Sequence, residues 1–316
     1  MEAPPLVATL SSRRFLFVTG KGGVGKTTVT VSLALAFARR GKRVLLATSG
    51  AHDRLSPLFG VPPIGHDLVS PEPNVWVCRI APERAVEEYG TMVVRFRSVA
   101  RALTDNRYTK AFFRAVPGLY EWAVLGKAWF HTTEELEDGS PRFDVVLFDA
   151  PSTGHGVDML RVPKVILDVA PPGILRRDAE LAWQMFRNPT DSGVVVVSLP
   201  EDMPTTETIE LVASVRELEL PVLGLVVNQM LEPLLDREER EALVEHAELL
   251  EVAPHRHRTA AERALHSGAR RAAREQLQAR SLARLERELA IPLVTLPFLL
   301  EGAGNPAAVR TLSGHL

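Results

Sequence analysis

Residues Val18 to Thr28, VTGKGGVGKTT, satisfy the spacing G-x-x-x-x-G-K-[ST] through Gly20, Gly25, Lys26 and Thr27. Glycines at these places let main-chain N–H groups close around phosphate oxygens, with Gly22, Gly23, Val24 and Thr28 completing the cradle. A helix beginning near Lys26 turns its positive end on the same anion. Lys26 is then the candidate to reach the terminal phosphates, and the Thr27 hydroxyl the candidate to hold Mg²⁺. Lys21 is a second cation where that arrangement needs one.

A carboxylate for the same chemistry lies in FDAPSTGHGVDML, where Asp149 follows a run of apolar residues. An acid at the carboxyl end of a buried strand can hold Mg²⁺ directly or through water beside a phosphate loop. Capping of the next helix is the alternative role. Ser152, Thr153 and His155 follow it, and Gly154 and Gly156 leave that loop free to respond to the γ-phosphate. A third polar stretch, ATSGAHDRLSPLFG, carries His52 and Asp53 with the hydroxyls of Ser49 and Ser56. Asp53 is read either as a group that orients an attacking water or as a helix cap. Positioning and charge neutralisation carry most of phosphoryl transfer.

These three stretches must be brought together by strands. FLFVT, RVLLAT, VWVCRI, DVVLFD, GVVVVSL, VLGLVVN and IPLVTL are β-branched and nearly continuously apolar, as parallel strands covered on both faces require. Their alternation with helical patterns predicts an α/β doubly wound, mostly parallel sheet of the P-loop NTPase type. Gly41 is placed to cap the helix that starts at Lys26. The expected organisation is a flexible N-terminal tail over 1–12 and one domain over 13–316. That domain carries an aromatic-rich helical insertion at about 82–140 and a further helical segment at about 235–288, punctuated at Pro254 and Gly268. The dense mixed charge of the second segment reads as a solvated face.

Composition narrows the classes. The 316 residues carry a net charge of -2, which argues against a nucleic-acid binder driven by electrostatics. One cysteine, Cys78, excludes a disulfide framework or a Cys-x-x-Cys zinc clasp within the chain and reads as a small buried hydrophobe. No signal-type start and no run of ~18 apolar residues occurs, so the expected location is cytoplasmic. The stretch GNPAAVRTLSGHL has too little apolar face for an amphipathic anchor, leaving membrane contact at most indirect. The pair His255 and His257 lacks a further evident metal ligand.

GKGGVGKTT at 20–28, GAHD at 50–53, DAPSTGH at 149–155, LPE at 199–201, VVNQM at 226–230 and LPFLLEGAG at 296–304 follow the order and spacing of the ArsA-like ATPases. That family includes arsenite-pump ATPases and the guided-entry ATPase that carries tail-anchored membrane proteins. The resemblance runs from residue 13 to about 304. It implies ATP and Mg²⁺ as cofactors and a homodimer, or a heterodimer with a paralogous ATPase, that binds a protein client. It makes Lys21 the signature lysine that reaches phosphates on the opposite subunit. It places Asn228 at the adenine edge with Pro297 and Phe298 near the base, and brings Glu201 toward the nucleotide from the partner side. The chain departs from the family at the first switch, where Ser49 and Gly50 replace Asp-Pro and Ser56 stands at the water-orienting aspartate's position. That departure implies slow or partner-dependent hydrolysis. One cysteine cannot form the several-thiolate arsenite sensor, and paired zinc-binding cysteines are likewise missing.

Overall fold

The computed structural model describes residues 6–49, 52–93, 118–151, 155–250 and 259–316. Its strands are β1 (Phe15–Thr19), β2 (Val44–Thr48), β3 (Val69–Glu72), β4 (Val75–Arg79), β5 (Val145–Asp149), β6 (Ser192–Ser198), β7 (Val222–Met230) and β8 (Leu293–Pro297). They form one sheet in the order β3-β4-β2-β5-β1-β6-β7-β8. Every pairing is parallel except that of β3 with β4. All seven apolar runs read as strands are strands. The eighth, β3, escaped the reading because VSPE is half-exposed and contains Pro71, which an edge strand tolerates and an interior one does not. A two-residue turn with Asn74 at φ 61° folds it back onto β4.

The helices are α1 (Leu6–Leu10), α2 (Lys26–Arg39), α3 (Ser56–Phe59), α4 (Pro82–Val93), α5 (Leu119–Phe130), α6 (His155–Val169), α7 (Ile174–Arg187), α8 (Asp202–Glu217), α9 (Arg237–Leu250), α10 (Ala260–Leu289) and α11 (Pro306–Leu312). Because side chains alternate across a strand, Leu16 and Val18 face one layer while Phe15 and Phe17 face the other. The first layer joins α1, α2, α3 and α11; the second joins α5, α6, α7, α8 and the end of α10. Trp122 of α5 is 1% exposed and anchors the second core. Cys78 is buried there too, and burial pushes its thiol up to about 11.

Two expectations are corrected. Residues 6–10 are no flexible tail: Leu6, Val7 and Leu10 are buried, and the Val7 N–H donates to the Leu316 oxygen at 2.9 Å. The apolar spacing of LVATL suffices to dock one helical turn once Leu316 offers an acceptor. Nor does Gly268 interrupt the second helical segment, for α10 runs unbroken from Ala260 to Leu289. Thr259 and Glu262 start it with a reciprocal capping box. Its polar sequence hides a buried stripe of small and polar side chains. On that stripe Glu275 and Gln278 accept the N–H groups of Leu234 and Leu231 and hold the segment after β7. Pro254, His255 and His257 lie outside the described residues, as does 94–117 of the insertion.

Candidate functional site

β1 lies between β5 and β6, so the chain leaves it toward β2 on one side while β5 returns to β6 on the other. The carboxyl ends of the strands at such a switch point open into a crevice. The glycine loop occupies it. Gly25 caps α2 with φ 89°, a left-handed conformation. A Cβ there would run into the Asn228 amide, so both the backbone conformation and the space favour glycine. The 14-residue helix α2 then aims its first N–H groups into the crevice.

Lys26 is 5% exposed, and its Nζ donates to the Lys21 oxygen at 2.8 Å. Burial pulls its pKa below the ordinary lysine value; Asp149 opposes that shift and Arg54 adds to it. Asp149, from the last position of β5, is 5% exposed. Its Oδ2 accepts the Thr27 hydroxyl at 2.8 Å, and its Oδ1 accepts the Thr30 hydroxyl at 3.4 Å. Burial pushes its carboxyl up to about 6, against the pull of Thr27, Lys26 and Thr30. Asp149 therefore meets α2 side chains across the sheet edge, and its carboxylate is bound by hydroxyls of that helix. A hydroxyl and a carboxylate meeting beside a phosphate loop are hard oxygen donors that fit Mg²⁺.

A cavity of about 520 Å³ opens over this group, lined among others by Lys26, Thr27, Asp149, Ser49, His52, Arg54 and Gly304. Ser49, His52 and Arg54 come from the stretch after β2, and Gly304 from the turn after β8. Asp53 points elsewhere. Its Oδ1 accepts the N–H groups of Leu55 at 3.0 Å and Ser56 at 3.1 Å, and its Oδ2 accepts that of Ile64 at 2.8 Å. Burial raises its pKa, but the bonds from Ser56, Ile64 and Leu55 outweigh it and hold the carboxyl below the usual range. These bonds tie the start of α3 to the segment before β3 through Asp53. Ser56 opens α3 and, like Asp53, does not line the cavity. Gly50, Ala51, Ser152, Thr153 and Gly154 lie outside the described residues.

The model of the anion-transporting (ArsA) ATPases matches residues 13–170. The chain belongs to the ArsA ATPase family. It is 29% identical over 225 residues to ATPase BagA of Mycobacterium tuberculosis, an alignment covering 70% of this chain and 66% of that protein. It is 26% identical over 258 residues to ATPase GET3 of Kluyveromyces lactis, covering 71% and 74%. A putative arsenical pump-driving ATPase of Halobacterium salinarum is 32% identical over 213 residues, which are 61% of this chain and 32% of that one.

The remaining residues carried over from the ArsA family are dispersed around the crevice. Lys21 leaves its own loop: its ammonium lies 3.4 Å from Glu207 of α8 and lines a second cavity with Gly156, Asp158 and Arg161. Asn228 is 4% exposed and donates to the Val24 oxygen at 3.0 Å, so it clamps the phosphate loop rather than facing the cavity. Gln229, with φ 61°, turns the chain just after it. Pro297 ends β8, and the Phe298 N–H donates to the Met230 oxygen at 2.7 Å while the residue is 38% exposed. Glu201 precedes α8, 3.9 Å from Arg274, and lines a separate hollow with Gln229 and Met203. Arg54 and Gly304 were not singled out from the sequence. Gly304 ends the family-like stretch LPFLLEGAG, whereas Arg54 carries no signal beyond being a lone cation in a polar loop.

Proposed function

We propose that this chain is a Mg-ATP-dependent ATPase that works as a dimer and couples nucleotide binding and hydrolysis to binding or release of a protein client. The observation that carries the reading is the convergence of Lys26, Thr27 and Asp149 on one cavity at the switch point of the sheet. Lys26 meets the terminal phosphates, Thr27 and Asp149 hold Mg²⁺, and the α2 N-terminus neutralises the anion. Bound Mg²⁺ supplies charge neutralisation on the phosphate oxygens. Family membership and relatives named ATPase support ATP as the nucleotide, and the resemblance to the guided-entry ATPase supports a client protein. The adenine is expected beside Pro297 and Phe298.

Single-turnover hydrolysis of ATP by purified protein tests this reading. Turnover that vanishes in Lys26→Ala and Asp149→Ala supports it; no turnover and no nucleotide binding sinks it. Capture of partners by ATP-trapped and nucleotide-free protein then tests the coupling, and identical partner sets overturn the switch. Among the described residues no helix is long and apolar enough to cross a membrane.

A second reading, a nucleotide-binding regulatory subunit paired with a paralogous ATPase, is favoured by one observation. Both Asp53 oxygens are committed to main-chain N–H groups, and Ser56 carries no carboxylate to orient water. Tight ATP binding without turnover, restored only by a paralogous subunit, would support that reading over the first.

A further inference from the structure

Arg54 stands on the wall of the phosphate cavity with Lys26, Thr27 and Asp149. It is exposed, and among the described residues it has no ion-pair partner. Its loop is nevertheless held. Asp53 binds the N–H groups of Leu55 and Ser56 immediately after Arg54 and that of Ile64 further on, so the main chain beside Arg54 is fixed. Its guanidinium makes no hydrogen bond or ion pair among the described residues and acts on Asp149 and Lys26 through its charge. Lys21, the extra lysine of the phosphate loop, is turned to Glu207 and lines a different cavity. Among the described residues, the lysine and arginine side chains on this cavity wall are therefore Lys26 and Arg54. A guanidinium carries a planar fork of donors that matches two phosphate oxygens, where an ammonium offers a point charge.

We propose that Arg54 bonds the terminal phosphate of a nucleoside triphosphate held on the phosphate loop of its own protomer, and so separates triphosphate from diphosphate. The inference rests on the reading of this cavity as an ATP site. In hydrolysis the oxygen of water bonds the γ-phosphorus as the bond from phosphorus to the bridging oxygen breaks. The electron pair leaves with ADP, and both protons of the water end on the released phosphate, one staying on the attacking oxygen and the other moving to a γ-oxygen. Arg54 offsets charge on the γ-oxygens through that step, as an arginine supplied in cis does in other phosphate-loop enzymes.

Calorimetric titration of the full chain with MgATPγS and with MgADP tests this, using wild type, Arg54→Ala and Arg54→Lys. Thermal midpoints of the variants are measured alongside, and an exposed side chain predicts no change in them. The alanine variant is expected to lose about tenfold in ATPγS affinity while ADP affinity stays within about twofold. The lysine variant should recover part of the loss, and ATP turnover should follow ATPγS affinity. Equal losses for both nucleotides, or none for either, overturn the role of Arg54 and leave the ATP-site reading standing. A wild-type chain that binds neither nucleotide overturns both.

Discussion

Lys26 binds the main-chain oxygen of Lys21 at 2.8 Å, while the Lys21 ammonium turns away to Glu207 at 3.4 Å. One lysine braces the loop from inside the crevice and the other leaves it. Two adjacent cations thus serve two different cavities, a division that follows from which side of the loop each side chain exits.

Lys21→Ala should leave stability within about 0.5 kcal/mol of wild type, because its pair with Glu207 is 43% and 31% exposed and solvent screens it. If Lys21 serves a neighbouring protomer, turnover should nevertheless fall by about a hundredfold or more. Mixing Lys21→Ala with Lys26→Ala subunits provides the check. The Lys21→Ala protomer keeps a competent phosphate loop and receives Lys21 from its partner, so mixed dimers should regain activity that neither variant has alone. Failure to regain any would argue for action within one chain.

Asp149 predicts an unusual pH dependence. Its folded value of about 6 lies above the ordinary 3.8, so between these pH values the native chain holds a proton that the unfolded chain has lost. This group's contribution to stability therefore falls as pH rises from about 4 to about 6. Subtracting the denaturation profile of Asp149→Asn from that of wild type isolates the slope. At pH 5 only about a tenth of Asp149 is ionised, so Mg-dependent nucleotide affinity should be about tenfold weaker than at pH 7. A flat affinity profile in wild type would count against Asp149 as a metal ligand.

Asp53→Ala removes the acceptor of three main-chain N–H groups and should cost about 1–2 kcal/mol, visible in urea denaturation. Because its carboxyl is held below the usual range, this stabilisation is present above the unfolded value and lost as pH falls through the folded one. Asp53→Asn keeps an oxygen for Leu55 and Ser56 but sets an amide against Ile64. It should lose stability and activity together. Loss of activity at unchanged stability would instead mark Asp53 as the water-orienting group.

Gly25→Ala and Gly23→Ala should differ. Both sites have left-handed main chain, at φ 89° and 83°, a strain of about 1–2 kcal/mol for alanine. A Cβ at Gly23 meets nothing within 4 Å, whereas at Gly25 it runs into Asn228. Gly25→Ala should therefore lose more stability than Gly23→Ala, and Asn228→Ala in the Gly25→Ala background should recover part of the difference. Equal midpoints for the two single variants would contradict the clamp of Asn228 on the loop.

What could be read in the sequence was whatever is encoded within a few residues. Runs such as DVVLFD and GVVVVSL are buried on both faces, so local composition identifies them as strands, and the glycine spacing of the loop is a local backbone requirement. Asp149 was legible because it terminates such a run. The edge strand β3 was not, since a half-exposed segment with a proline carries no apolar signature. The docking of α1 was hidden for another reason: Leu6, Val7 and Leu10 are held by groups far along the chain, including Leu316.

The sequence by itself determined a phosphate loop on a parallel sheet, with a lysine and a hydroxyl ready at its end. Only the tertiary structure decided which charges meet. Thr27 and Asp149 stand 122 positions apart, and pairing of β1 with β5 brings them to 2.8 Å. Three N–H groups bind Asp53 and so keep it out of the cavity, while the same turn leaves Arg54 on the cavity wall. Side-chain direction depends on contacts from distant segments, and residue spacing carries no record of them.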